Sequence, residues 1–156
     1  MGIVFVFLWI DKVIFGILRI NSIVEFTTVS TIIIGIVYGP IFGFFFSLFL
    51  IPLLDGIKIF FIKVNIEWPP FIPGFANVID GLVAVAAWFL MGFDLLYIML
   101  ACLALKYTLN FLFHVIKLRV YTQQPFDYKM FFSVISNVAI IVLFRDIIMG
   151  IITSSL

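Results

Sequence analysis

Charge is scarce in this sequence. Asp, Glu, Lys and Arg make up 11% of its 156 residues, against roughly a quarter in a soluble domain. Nine Lys and Arg stand against eight Asp and Glu, for a formal net charge of +1. The cations are scattered, so no basic surface exists to hold nucleic acid. The one cysteine, Cys102, lies inside an apolar run, which excludes a disulfide framework and a thiolate metal cluster. The one histidine, His114, has no partner at His-x-x-x-His or Glu-x-x-His spacing, so a zinc or copper site is excluded. No metal or other cofactor is expected.

Catalytic motifs are lacking too. Gly-Lys-Ser and Gly-Lys-Thr are missing, so any coupled nucleotide hydrolysis belongs to a partner. Asp55-Gly56-Ile57-Lys58 lacks the continuation that CDP-alcohol phosphotransferases require. No Gly-x-Ser-x nucleophile points to His114. Asp55, Asp80 and Asp94 lie near predicted helix ends, unpaired for acid–base work. The chain does not read as an enzyme.

Apolar mass is what remains. Hydrophobic residues are 65% of the sequence, and 21 of them are Phe. The solvent for most of this chain is lipid. The expected fold is an all-α, polytopic helical bundle of five to six transmembrane helices, one domain over residues 1–156, multi-pass in the cell membrane and in contact with its lipids.

One crossing needs about 20 apolar helical residues. A first segment runs from Ile3 to Ile20, interrupted by Asp11 and Lys12, and reads as a retained membrane helix. Phe26 to Leu54 carries no charge, too long for one ordinary crossing and short for two. Pro40 removes a backbone donor and disfavours a helical Gly39, which predicts a helix break there. An apolar tail reaches Ile62, and clearer spans follow at Phe75 to Gly92, Leu95 to Ile116 and Met130 to Gly150. Two loops intervene, Asn65 to Gly74 with Trp68 as an interfacial anchor, and Arg119 to Lys129. Lys58, Lys63, Lys117, Arg119 and Lys129 flank them, which places both in the cytoplasm. One crossing by Phe26 to Leu54 gives five spans and a cytoplasmic N-terminus; two give six spans and both termini outside.

Gly35, Gly39 and Gly43 form a small-xxx-small pattern that lets backbones approach, within the chain or against a second subunit. Ile34-Gly35-Ile36-Val37-Tyr38-Gly39-Pro40-Ile41-Phe42-Gly43-Phe44 is followed by Leu54-Asp55-Gly56, Pro73-Gly74-Phe75 and Asp80-Gly81-Leu82. This layout, from Gly35 to about Gly92, resembles the S components of energy-coupling-factor transporters, and it is similar to the MreD-like cell-shape proteins. The resemblance implies six helices and, for S components, a small-molecule pocket roofed by loops. Two features depart from it: the first helix offers only Gly16 where many S components carry an Ala-x-x-x-Ala docking face, and the cation distribution opposes the family topology. Met1-Gly2 also lacks the Met-His pair of the nickel and cobalt branch.

Independently of any family, Lys106, Asn110, His114 and Lys117 fall within about 80° on one helix face. A lysine at bilayer depth is usually buried in a bundle or a water-filled cavity. Lys106 lies deepest, and its expected counter-charge is Asp80 or Asp94, with Asn110 one turn away. Lys117 and His114 can snorkel. Asn77 and Asp80 open the fourth helix, and Ser133, Ser136 and Asn137 share a face of the last one. Lys106, Asn110, His114, Asp80, Asn77 and Trp68 are therefore the candidate ligand-binding residues. Lys12, Gly16 and Arg19 form a second stripe, suited to another helix or a lipid headgroup, and join the three glycines as candidate partner contacts.

The leading expectation is a substrate-binding subunit of a transporter, resembling S components and capturing a small polar or vitamin-like solute. The alternative is a non-catalytic structural or accessory subunit of a larger membrane complex, MreD-like or similar. A binder should keep Lys106, Asn110 and Asp80 on a cavity. A structural subunit should close them into ion pairs.

Overall fold

A computed structural model describes residues 2–11, 26–61, 72–120 and 128–153. Every regular element among the described residues is a helix, and the segments group into six helical arms. These are α1 (Gly2–Trp9), α2 (Phe26–Tyr38), then α3 (Pro40–Phe45) running through a π-helical turn at Phe46–Leu50 into α4 (Ile51–Phe61). They continue with α5 (Phe75–Phe89), α6 (Leu95–Val120) and the pair α7 (Tyr128–Leu143) and α8 (Arg145–Thr153). Two helices, Pro40–Ile57 and Leu95–Phe113, are long and apolar enough to cross a membrane. A third joins them if Val134–Leu143 and Arg145–Thr153 count as one span, bent by 67°.

The uncharged stretch turns back on itself at Gly39. That residue has φ 94° and ψ 167°, a region essentially reserved for glycine, and Pro40 opens the next helix, where its missing N–H costs nothing. The glycine stripe therefore does not line one helix, as its spacing suggested. It spans a hairpin, with Gly35 on one arm facing Gly43 on the other. A β-carbon on Gly43 would fall 2.9 Å from the Gly35 Cα and 2.8 Å from the Ala84 Cβ. A β-carbon on Gly35 would collide with the Ala84 carbonyl oxygen. Three helices, α2, α3 and α5, thus meet backbone to backbone, the contact on which packing depends when no water is expelled between helices.

The second arm of the hairpin is no short half-helix. It runs on past Leu54 to Phe61, including the apolar tail. Pro52 in its course has no N–H to offer, and the π-turn just before it widens the backbone, with Ile51 N–H bonding Phe46 C=O five residues back. Likewise, Met130 to Gly150 is not one straight span. It breaks at Phe144, where the charged Arg145-Asp146 pair begins α8.

α2 is the hub. Every residue from Thr27 to Ile36 is buried, and α1, α3, α5, α6, α7 and α8 all touch it. Its aliphatic half packs with Val83, Met99, Ile141 and Ile148 in one core. Its first turns carry hydroxyls instead, Thr27, Thr28, Ser30 and Thr31. That polar end positions the candidate site.

A candidate polar site around Lys106

Lys106 occupies the middle of α6 and is 3% exposed. Its ammonium lies 2.8 Å from the Asp80 carboxylate of α5, and it donates to the Thr28 hydroxyl of α2. Asp80 and Thr28 are buried as well. Three helices therefore converge through one cation, one anion and one hydroxyl. An ammonium facing hydrocarbon alone would be costly. Here the carboxylate neutralises it and the hydroxyl takes a second proton. Asp80 stands at the right height because Gly81 beside it has no side chain; a β-carbon there would fall 2.7 Å from the Phe44 ring.

Asp94, the other candidate counter-charge, is elsewhere. It lies in the α5–α6 turn, where its Oδ1 accepts the Leu96 N–H at 2.9 Å and so caps α6. Its Oδ2 pairs with Arg145 at 3.1 Å, in the open. A turn at the end of the bundle cannot reach a lysine in its middle. The hydrogen bond expected from Asn110 comes from Thr28, and Asn110 is half-buried one turn along α6.

Asn77 joins a different contact. Its Oδ1 accepts the Gly74 N–H at 2.9 Å, half of a capping box at the start of α5. Its backbone carbonyl accepts the Ser47 hydroxyl at 2.6 Å, and its Nδ2 donates to the Ser47 carbonyl at 3.4 Å. This ties α5 to the π-turn. Asn137, fully buried on α7, donates to the Tyr107 hydroxyl of α6 at 3.1 Å. The backbone at His114 is helical, but its side chain lies outside the described residues, with those of Lys117 and Ser133 and all of Lys12, Gly16, Arg19 and Trp68.

Two functional groups escaped sequence reasoning. Thr28 is one; the available signal was the hydroxyl cluster at the head of an otherwise aliphatic helix. Asp11 is the other. Only 4% exposed, it accepts the Thr27 N–H at 2.8 Å and the Thr27 hydroxyl at 2.6 Å. It thereby caps α2 from α1, placing negative charge where the helix leaves its N–H groups unbonded. Read along the chain, Asp11 was only an interruption of an apolar segment. No family model, curated protein or solved structure matches this chain.

Proposed function

We propose that this chain is a multi-pass protein of the cell membrane serving as a non-catalytic structural subunit of a larger membrane complex, similar in that role to MreD-like proteins. The observation that carries the reading is the closure of Lys106, Asp80 and Thr28 on one another. Each charge neutralises the other, and the hydroxyl of Thr28 accepts from the ammonium. Such a clasp fixes the depth and rotation of α2 against α5 and α6. Buried ionic groups contribute uniqueness of arrangement more than stability, and their strongest attested use is setting register.

A second reading keeps the pair as a solute site, in a substrate-binding subunit resembling S components. It is supported by the position of the pair, at bilayer depth beside the hydroxyls of α2, where ionisable residues mark substrate paths by default. Lys106→Met separates the two, because it keeps length and loses charge. The structural reading expects lower stability with assembly nearly intact, read by co-purification of partner chains and by thermal unfolding. Loss of a bound solute from a protein of unchanged stability, read by mass spectrometry of the gently purified protein, would replace it with the second reading.

A further inference from the structure

We propose that α8, with the turn joining α5 to α6, forms a platform lying in the headgroup layer of the membrane, and that α8 does not complete the span α7 begins. This rests on the membrane reading above. The axis bends by 67° at Phe144, and backbone bonds at 2.9 Å close it on either side, Phe144 N–H to Ile140 C=O before it and Ile148 N–H to Phe144 C=O after it. The bend is thus a built change of direction.

Its location is set by neighbours. Arg145, the first residue of α8, pairs with Asp94 in the α5–α6 turn. That turn is at the same end of the bundle as the Gly39 hairpin, because α5 pairs Asn77 with Ser47 near its start and Ala84 with Gly43 further on. α8 then lays Ile148 and Ile152 inward and leaves Arg145, Asp146 and Thr153 exposed together with Ile147 and Met149. Beside it the end of α5 exposes Phe89 (75%), and the turn exposes Met91 and Phe93 (60%).

Neither water nor hydrocarbon suits this surface. A turn in water would show polar residues, and three large exposed apolar side chains within five residues would be expelled. A turn in hydrocarbon would leave unbonded backbone groups and a half-exposed ion pair in lipid. The headgroup layer accepts both, rings towards the acyl chains and charges towards the phosphates. It is also the layer in which a short amphipathic helix lies flat.

Nitroxide labels on single cysteines, in a Cys102→Ala background and vesicles of phosphatidylcholine with phosphatidylglycerol, test this by oxygen and nickel-chelate accessibility. With α7 along the membrane normal, Phe93, Ile147, Met149 and Thr153 should report one interfacial depth within about 5 Å. A depth change of about 9 Å from Ile147 to Thr153, the rise of six helical residues, would make it the continuation of a span. Nickel access without oxygen access would place the surface in water. Shielding from both would mean that another protein covers it. Each of these three results overturns the proposal. Leu100 and Ile135, exposed on the flanks of α6 and α7, are the controls. If they too lack oxygen access, the membrane reading itself fails, whereas failure at α8 alone leaves that reading standing.

Discussion

The chain makes the same kind of bond in two places, and the two bonds do opposite things. Lys106 and Asp80 meet at 2.8 Å with side chains 4% and 6% exposed. Arg145 and Asp94 meet at 3.1 Å with side chains 54% and 59% exposed. Distance barely distinguishes them. Environment does, since water around the outer pair would solvate either ion alone, whereas burial withholds that water from the inner pair. The inner pair is therefore a constraint on how three helices assemble. The outer pair joins the α5–α6 turn to the first residue of α8.

The largest effect that would break this contrast belongs to the inner pair. Lys106→Met and Asp80→Asn should each lose about 3–5 kcal/mol, the cost of stranding one buried ion, in reversible unfolding measured in micelles. Stability within 1 kcal/mol of the parent, on the scale of exposed pairs, would erase the contrast. Next comes the glycine contact that lets α5 approach closely enough for Asp80 to reach Lys106. Gly35→Ala adds a carbon against the Ala84 backbone and should cost about 1–3 kcal/mol, as overpacking does. Unchanged thermal stability would mean that α2 and α5 slide apart freely.

Asp11→Ala tests a buried anion that caps a helix. It should cost about 1 kcal/mol, the usual cap value, and speed hydrogen exchange at the first amides of α2. Exchange that stays slow at Thr27 would assign the capping elsewhere. Smallest is Arg145→Ala, expected within 1 kcal/mol of the parent. A larger loss in the same unfolding measurement would show that the α8 turn is held by its ion pair after all.

Much of this arrangement was legible before any coordinates. An ammonium ten residues into an apolar segment must find an acid, and the sequence pointed to Asp80 or Asp94 for that partner. Choosing between them was beyond the sequence. The choice depends on depth, and depth depends on where α5 ends; hydropathy ran that span on to Gly92, whereas the helix stops at Phe89. The hairpin at Gly39-Pro40 was readable from local chemistry, because proline and a positive φ are local properties. The contact of Gly35 with Gly43 was not, since helical spacing assumes that the helix continues. Thr28 and Asp11 stayed hidden for a related reason. A hydroxyl or a carboxylate in an apolar run shows that a partner is needed, and only the packing of helices distant in sequence shows which.

The claim on which the rest depends is that Lys106 and Asp80 are buried for one another. A double-mutant cycle on Lys106→Met and Asp80→Asn, read as unfolding free energy, tests it most directly. Strong coupling is expected: the double variant should be more stable than the sum of the two single losses implies by at least about 3 kcal/mol, because neutralising both ions strands neither. Single losses that simply add would contradict it, and would show that the two charges answer to other groups.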